Sequence, residues 1–309
     1  MRIVYFGTPF FALSILRFLI QSGISVSAVV TKPDRPKGRA LELQPPPVKA
    51  WLQEEKLSIP VFQPQKCSDP SFLAAMQEME PDLFVVVAFG QILPLALLKI
   101  PKKGAINVHA SLLPKYRGAA PIQRSLLSGD KETGVTIQKM ALELDAGEVV
   151  ATARMEIDPN MNAGALEAGL CELAKPLLLV VLNAYRKAVP PSTPQDASCV
   201  TYAQKISVEE GEIHWDRPAE EIHNRIRAFA PRPGAWTWCL MGQEMKRVKI
   251  LETEIIDLPG TPGKFLSREP VVGCGERSLH IRKIQTEGKQ ALSGEAWLCG
   301  FPSLPHFIV

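Results

Sequence analysis

The chain has 309 residues, of which 46% are hydrophobic and 22% are charged, and its formal net charge is +3. These values are ordinary for a soluble globular protein and exclude the fibrous and disordered classes. A net charge this small does not mark a general nucleic-acid binder, so a polyanionic partner would have to meet a local basic patch.

The N-terminal part of the chain alternates short apolar runs with helical stretches. The runs RIVYFG, VSAVVT, LFVVVAFG, AINVHASL and GVTIQKM are rich in Val, Ile or Phe. Continuous apolar strands separated by helices indicate a parallel sheet that is covered on both faces. We therefore predict an α/β fold, a Rossmann-like doubly wound parallel sheet, over residues 1–189.

The C-terminal part has a different composition. Residues 190–207 are rich in Pro, Ser and Thr and are predicted to form an interdomain linker. After one helical segment, short alternating runs separated by Gly and Pro predict several short strands. Residues 208–309 are therefore predicted to form a smaller β-barrel or β-sandwich domain. Trp236 and Trp238 have a spacing of two and are predicted to fill one buried face of a strand rather than to stack on bases.

Targeting and metal-binding signals are weak. Gly7, Pro9 and Arg17 interrupt the apolar N-terminus, which favours a core strand and helix over a signal peptide. No other run approaches the ~18 apolar residues of a membrane span, so we expect a cytoplasmic protein without a membrane partner. The six cysteines are scattered without a CxxC pattern and are expected to be reduced core residues, and no metal site is predicted.

The first turn between a strand and a helix reads FGTPFF. A dinucleotide-binding turn needs the pattern G-x-G-x-x-G so that the backbone can approach a pyrophosphate. This turn contains one glycine and a proline, which disfavours a nicotinamide- or flavin-dependent oxidoreductase. Gly7 still leaves room for a small ligand near the start of the helix.

The segment AINVHASLLPKYRGAAP carries polar residues on a predicted core strand. Asn107, His109 and Ser111 occupy every second position and therefore share one face. Ligands of open α/β sheets bind outside the carboxyl ends of the strands, which is where these residues lie. They could instead satisfy neighbouring backbone groups, but their clustering with Arg117 and Gly118 favours a functional site.

Asp145 is the candidate carboxylate partner of this cluster. It lies in an Asp-Ala-Gly turn after the predicted strand GVTIQKM, at the same end of the sheet if the strands are parallel. An isolated Asp in a turn is usually only a turn residue. Together with Asn107 and His109, it completes a set of base, orienting group and oxyanion donor.

The strings INVHASLLPKYRGAAPIQRSL, LDAGEVV and IRAFAPRPGAW resemble those of the folate-dependent formyltransferases. The similarity extends over nearly the whole chain and includes FGTPFFA, TKPDRPKGR, PPPVK and AFGQILP. The resemblance implies a formyltransferase domain followed by an OB-like β-barrel. It also implies transfer of a formyl group from 10-formyltetrahydrofolate to the α-amino group of methionine on initiator Met-tRNA, without a metal.

The resemblance also implies roles for individual residues. It makes Asn107, His109 and Asp145 catalytic. The residues expected to line the 10-formyltetrahydrofolate site are Phe89, Gly90, Gln91, Ile92, Leu93, Ser111, Leu112, Leu113 and Pro114. The residues expected to contact tRNA phosphates are Lys32, Arg35, Lys37 and Arg39, in a Pro- and Gly-rich segment that could also be a plain surface connection.

Two other functions remain open on the sequence. The chain could formylate a different amine, such as a nucleotide-linked amino sugar, and only the basic segment at residues 32–39 argues against this. It could also be a non-catalytic folate- or nucleotide-binding module, against which the complete set of Asn107, His109 and Asp145 argues. Folate and initiator Met-tRNA are the expected partners, and we expect a monomer without an obligate protein partner.

Overall fold

The computed structural model describes residues 1–37 and 42–309, which form two compact units. The first unit comprises Met1–Gly118, Gly134–Met155 and Glu167–Tyr202, and the second comprises Ala119–Thr133, Glu156–Leu166 and Ala203–Val309. Within the described ranges, none of the helices combines the length and the apolar character that crossing a membrane requires.

The elements up to residue 187 are a mixture of strands and helices, and each of the five apolar runs forms a strand. The strands are β1 (Ile3–Gly7), β2 (Val26–Val30), β3 (Arg35–Lys37), β4 (Glu42–Gln44), β5 (Val61–Phe62), β6 (Leu83–Val87), β7 (Ala105–His109), β8 (Arg117–Gly118), β9 (Glu132–Lys139) and β10 (Val149–Glu156). The helices are α1 (Phe10–Gln21), α2 (Pro47–Glu54), α3 (Pro70–Glu78), α4 (Leu95–Leu98), α5 (Pro121–Leu127) and α6 (Ala163–Lys187).

Seven strands of the described chain form the larger sheet, in the order β10-β9-β7-β6-β1-β2-β5. The five strands from β7 to β5 are mutually parallel, which confirms the α/β, Rossmann-like prediction. The sheet is nevertheless mixed, because β9 runs antiparallel to β7 and pairs Thr136 with His109. The expectation that the GVTIQKM strand runs parallel to its neighbours was wrong, because this strand is antiparallel to β7. Apolar runs show that a strand is buried, but they carry no information on its direction.

One face of this sheet packs on a continuous hydrophobic cluster. The cluster combines residues of β1, β2, β6 and α3 with the segment after β6. Its buried members are Val4, Phe6, Ala28, Val30, Cys67, Phe72, Met76, Phe84, Val86, Phe89, Leu93, Leu97 and Ala105. The apolar core thereby holds the carboxyl ends of the parallel strands in fixed positions.

The second unit contains the antiparallel part of the fold. Its elements, together with the short strand that leads into it, are β11 (Tyr202–Ala203), α7 (Ala219–Phe229), β12 (Ala235–Met241), β13 (Glu244–Ile256), β14 (Val271–Gly273), β15 (Ser278–Thr286), β16 (Leu292–Ser293), α8 (Gly294–Leu298) and β17 (His306–Phe307). The sheet order is β14-β15-β13-β12-β17, and β16 pairs with β15. Register shifts between Ile250 and Thr253 bend the long strand β13 and curl the sheet into a half-barrel.

The indoles of β12 lie on the outer face of this sheet. Thr237 and Cys239 point inward and are buried, whereas Trp238 is 41% exposed and Trp236 is half-buried. The guanidinium of Arg247 lies 3.9 Å from the ring centroid of Trp236, within cation–π range. The prediction that both tryptophans fill the core was wrong, because the period of two fixes a shared face without showing which face is buried.

The cysteine prediction holds for four residues of the six. All six thiols are unpaired, and Cys67, Cys171, Cys239 and Cys274 are buried. Cys199 and Cys299 are exposed instead, so these two are not core residues.

Candidate active site

Strand β7 presents Asn107 and His109 on one face, as their spacing predicts. His109 is 6% exposed, and Asn107 is half-buried. The antiparallel neighbour β9 places Gln138 opposite Asn107 in the register, and the Gln138 side chain is 2% exposed. Polar groups are therefore concentrated at a position where the sheet is otherwise apolar.

The ring of His109 has a defined tautomer. Its Nε2 lies 2.8 Å from the carbonyl oxygen of Tyr116. A carbonyl oxygen can only accept, so Nε2 carries the hydrogen and donates it. In the neutral ring, Nδ1 then holds a lone pair, and it lies 3.6 Å from Oδ2 of Asp145. That separation is longer than a hydrogen bond, so Nδ1 remains able to accept a proton next to a carboxylate.

The carboxylate of Asp145 is held by three donors. Its Oδ1 accepts from Nδ2 of Asn107 at 3.3 Å and from Nε2 of Gln138 at 2.8 Å. Its Oδ2 accepts from the backbone N–H of Gly118 at 2.9 Å. The side chain is only 11% exposed, and hydrogen bonds of this number compensate for the burial of a charged group.

Asp145 reaches the cluster by a different route from the one predicted. Because β9 is antiparallel to β7, the end of β9 does not lie at the carboxyl end of β7. The chain after β9 folds back, and the N–H of Lys139 donates to the carbonyl of Glu148 at 2.9 Å. Gly147 permits this close return, since a Cβ there would overlap the carbonyl oxygen of Lys139. The fold-back sets Asp145 level with Asn107.

Ser111 and Arg117 support the loop and do not join the cluster. Ser111 is fully buried, and its hydroxyl donates to the carbonyl of Lys115 at 2.6 Å. Its own carbonyl accepts from the hydroxyl of Thr136 at 2.7 Å, and that hydroxyl also accepts from the N–H of Leu113 at 3.0 Å. The guanidinium of Arg117 donates to Gln195 at 3.0 Å and to Glu143 at 3.1 Å. Ser111 and Leu113 therefore fix the shape of the bend that residues 111–115 form. Leu112 and Pro114 in this bend are half-buried.

The residues predicted to face the folate ring divide into two groups. Phe89 and Leu93 are 2% and 5% exposed and belong to the hydrophobic cluster beneath the sheet. Their side chains are therefore core residues rather than the wall of a cavity. Gly90, Gln91 and Ile92 instead line a cavity of about 480 Å³. Gly90 has φ +76°, a conformation that glycine adopts without strain.

The same cavity contains two of the predicted tRNA contacts. Lys32 and Arg35 line it together with Lys66. Three cationic side chains thus surround one opening, which favours an anionic ligand. Lys37 ends β3, and Arg39 lies outside the described residues.

A compact network fixes the start of the basic segment. Both carboxylate oxygens of Asp34 accept from Nζ of Lys49, the closer at 2.7 Å, and Nε2 of Gln63 donates to Asp34 at 2.7 Å. Gln63 also donates to the carbonyl of Lys32 at 2.8 Å. The amide of Gln63 and the ammonium of Lys49 hold the pKa of Asp34 below its usual value. The backbone that carries Lys32 and Arg35 is therefore tied to α2 and to the residue after β5.

Cys67 in the same cavity is not a nucleophile at neutral pH. Its side chain is 3% exposed, and burial raises the pKa of the thiol to about 11. The thiol therefore stays protonated, and its Sγ lies 3.5 Å from Oε1 of Gln91 as a weak donor. Its contribution at this position is packing.

The fold and the cluster define a family. Residues 1–182 match the sequence model of the family described as formyl transferase, and residues 205–302 match the formyl transferase C-terminal domain. The chain belongs to the formyl transferase family. A protein of Protochlamydia amoebophila named methionyl-tRNA formyltransferase is 42% identical over 304 residues, covering 97% of this chain and 95% of that protein. The protein of the same name from Moorella thermoacetica is 40% identical over 315 residues, covering 100% of this chain and 99% of its own.

Solved structures support the architecture of both parts. The sugar 3N-formyltransferase WlaRD, crystallised with dTDP and 5-N-formyl-THF, superimposes with a TM-score of 0.68 at 17% identity and covers 94% of this chain and 99% of its own. HypX from Aquifex aeolicus, in complex with tetrahydrofolic acid, gives a TM-score of 0.66 at 17% identity and covers 96% of this chain and 47% of its own. At this level of identity, both similarities concern the fold alone.

Sequence reasoning missed three residues that contact the cluster. Gln138 interrupts the apolar run of β9, and a buried amide in such a run is a signal that could have identified it. Tyr116 acts through its backbone carbonyl, which no residue pattern reveals. Gln195 lies 50 positions after Asp145 in the Pro-rich segment predicted as a linker.

Proposed function

We propose that the chain transfers a formyl group from 10-formyltetrahydrofolate to the α-amino group of methionine on initiator Met-tRNA. The observation that carries the proposal is the buried cluster in which Nδ1 of His109 faces the carboxylate of Asp145 at 3.6 Å. The full-length relatives named methionyl-tRNA formyltransferase support this amine acceptor over others.

His109 supplies the base in this proposal. An amine attacks only in its neutral form. The pKa of a free α-amino group is about 8, so removal of its proton matters at neutral pH. Nδ1 accepts the proton as the amine nitrogen bonds to the formyl carbon. Asp145 stabilises the resulting imidazolium, and Nδ1 then returns the proton to N10 of the folate as the bond between N10 and the formyl carbon breaks.

Asn107 acts on the formyl oxygen in this proposal. One N–H of its amide points to Asp145, so the second N–H is available as a donor. That donor would stabilise the negative charge that develops on the oxygen while the formyl carbon is tetrahedral. The loss of one such donor costs about 3 kcal/mol of transition-state stabilisation in other enzymes.

The residues around the cavity fit a folate co-substrate. A volume of about 480 Å³ lies in the range of small-molecule sites. Ile92 is 86% exposed and offers an apolar contact for a flat ring, and the ammonium group of Lys66 suits a carboxylate of a folate. In the proposal, Gly90, Gln91 and Ile92 hold this molecule, and Leu112 and Pro114 approach it from the bend. The folate supplies the activated formyl group.

The basic segment would contact the phosphates of tRNA. Lys32 and Arg35 support this proposal because they lie at the cavity and their backbone is anchored by the Asp34 network. Lys37 and Arg39 continue the segment and are proposed to act with them. Phosphate contacts of this kind position a nucleic acid without reading its sequence.

A competition assay tests the function. The protein is incubated with 10-formyltetrahydrofolate, initiator Met-tRNA, an amino-sugar nucleotide and glycinamide ribonucleotide, and the formylated product is identified by mass spectrometry. We expect formyl-Met-tRNA. A formylated amino sugar would establish the alternative acceptor, and the absence of any product would establish a binding module without catalytic activity.

The variant Arg35→Ala tests whether Arg35 contacts tRNA or the folate. We expect the KM for tRNA to rise several-fold at low salt and the salt dependence of that KM to weaken, because one phosphate contact contributes about one unit to the salt slope. The KM for folate should stay within about twofold of the wild type. A salt-independent rise in the folate KM alone would assign Arg35 to the folate instead. Arg154→Ala on the distant strand β10 serves as the charge-matched control.

A further inference from the structure

Two residues that orient His109 have a left-handed backbone. Tyr116 has φ +62°, and Asp145 has φ +50°. Non-glycine residues seldom adopt this conformation, so the surrounding structure must maintain it. In both cases a partner comes from residues 193–201, which we call the strap. The strap lies inside the Pro-, Ser- and Thr-rich segment that the sequence predicts as a linker.

Gln195 of the strap holds the turn at Asp145. Its Nε2 donates to the carbonyl of Asp145 at 2.8 Å and to the carbonyl of Gly147 at 2.7 Å. Its Oε1 accepts from Nε of Arg117 at 3.0 Å, which fixes the orientation of the amide. Nη1 of the same Arg117 donates to Glu143 at 3.1 Å. One side chain thus bonds the backbone on both sides of Ala146 and sets where the Asp145 carboxylate lies.

Thr201 of the strap holds the turn at Tyr116. Its Oγ1 accepts from the N–H of Tyr116 at 2.8 Å, and its carbonyl accepts from the N–H of Arg117 at 2.9 Å. The carbonyl of Tyr116 is the acceptor for Nε2 of His109. Thr201 therefore determines the position of the group that selects the tautomer of the ring.

The strap is itself anchored at its start. Val149 and Thr193 exchange two backbone hydrogen bonds, each of 2.8 Å. Asp196 accepts from the N–H of Ser198 at 2.9 Å and begins the short 3-10 turn at Ala197–Cys199. Gln195 follows the Val149–Thr193 pair by two residues, so its side chain is presented from an ordered backbone, whereas Asp196 bonds only within the strap.

We infer that Gln195 and Thr201 are positioning residues for formyl transfer. They act through Asp145 and Tyr116 on the two sides of the His109 ring: Gln195 sets the carboxylate that faces Nδ1, and Thr201 sets the carbonyl that accepts from Nε2. This inference rests on the proposed function for its kinetic consequence. Its structural content, that the strap maintains the His109 tautomer and the Asp145 geometry, is independent of the amine acceptor.

Kinetics of strap variants test the inference. We expect Gln195→Ala to lower kcat on the order of 100-fold and Thr201→Val on the order of 10-fold, because small displacements of a catalytic group have large effects on rate. The KM values for tRNA and folate should stay unchanged. Gln195→Glu keeps the acceptor for Arg117 but turns lone pairs toward two carbonyls, so it should be as impaired as Gln195→Ala. Thr201→Ser keeps the hydroxyl and should restore kcat.

Asp196→Ala is the matched control. It removes a hydrogen-bonded side chain next to Gln195, yet its partners are Ser198 and Cys199 of the strap itself. We expect a wild-type kcat. An equal loss of kcat in Asp196→Ala and Gln195→Ala would overturn the inference, since general loosening of the strap would then explain both. A kcat within threefold of the wild type in Gln195→Ala, or a change confined to KM, would also overturn it.

A spectroscopic measurement keeps the inference separate from the proposed function. Nitrogen-15 spectra of labelled histidines report the tautomer, and the His109 resonances are assigned as those lost in His109→Gln. We expect the Nε2-protonated form in the wild type and a mixture in Thr201→Val. An unchanged tautomer in Thr201→Val would overturn the role of Thr201. If the wild type formylates no Met-tRNA, the proposed function fails, whereas the spectra still decide the inference. Should Gln195→Ala not fold, Gln195→Asn provides the same comparison with less lost volume.

Discussion

Two buried histidines of this molecule have similar partners at Nε2 but different partners at Nδ1. His109 on β7 and His223 on α7 are 6% and 5% exposed. Each has Nε2 next to a backbone carbonyl, Tyr116 at 2.8 Å and Pro159 at 3.0 Å, so each carries its hydrogen on Nε2. At Nδ1, His223 accepts from the hydroxyl of Thr253 at 2.9 Å, whereas His109 faces a carboxylate at 3.6 Å.

This difference separates a structural histidine from the histidine that we propose as the base of formyl transfer. Both nitrogens of His223 have neutral partners, and burial lowers the pKa of its ring. The carbonyl of Pro159 raises that pKa and Arg227 lowers it, both less than burial does. Protonation of His223 is therefore unfavourable. At His109, Nδ1 instead faces the carboxylate of Asp145, as the proposed transfer of a proton to and from Nδ1 requires.

The largest expected effect comes from His109→Gln. We expect kcat for formyl transfer to fall about 1000-fold, within the range that general acid–base catalysis contributes. Glutamine can still donate to the carbonyl of Tyr116, so folding should be preserved. His223→Gln is the matched control and should leave kcat of the folded protein unchanged. Similar kcat values in the two variants would show that the Nδ1 environment does not distinguish these residues.

The next effect concerns the carboxylate opposite Nδ1. We expect Asp145→Asn to lower kcat about 100-fold, since an amide cannot stabilise an imidazolium as a carboxylate does. The amide would also present an N–H toward Asn107, Gln138 or Gly118, which all donate at this position. The measurement is single-turnover formyl transfer at saturating substrates. A wild-type rate in Asp145→Asn would show that the carboxylate opposite Nδ1 does not contribute to formyl transfer.

The sequence predicted the cluster around His109 but not the surroundings of His223. Asn107 and His109 follow from a period of two in an apolar strand, and Asp145 follows from the need for a carboxylate near a base. The route of Asp145 to the cluster was not predictable, because residue patterns do not fix the direction of β9. His223 carries no such pattern, since its partners Thr253 and Pro159 are 30 and 64 residues away.

The residues around the site also make contacts that the local sequence pattern does not predict. Ser111 shares the face of His109 by spacing, yet the bend turns its hydroxyl to the carbonyl of Lys115. Gln195 contacts the turn at Asp145 from a segment whose composition indicates only an extended connection. Alternation along one strand specifies a face locally. Contacts made by a loop depend on where a distant segment crosses it, and local sequence does not encode this.

A smaller effect is expected on the stability of the protein when His223 is replaced. We expect His223→Gln to lower the free energy of unfolding by about 2 kcal/mol at pH 7.5, because the buried carbonyl of Pro159 or the hydroxyl of Thr253 loses its partner. Urea unfolding is followed by tryptophan fluorescence, since Trp215, Trp236, Trp238 and Trp297 lie in the second unit. An unchanged midpoint would show that these two hydrogen bonds do not stabilise this unit.

The smallest effect is the pH dependence of the difference in unfolding free energy between the wild type and His223→Gln. Burial places the pKa of folded His223 below its ordinary value of 6.5, so the unfolded chain binds a proton at a pH where the folded chain does not. The wild type should therefore lose stability as the pH falls below about 6.5, and the loss should level off below the folded pKa. His223→Gln lacks this proton, while the other titrating groups are common to both proteins. The difference between their urea midpoints should shrink from pH 7.5 to pH 5.5. A difference that stays constant would mean that His223 takes up a proton equally in the folded and the unfolded chain. The fold would then not hold His223 neutral.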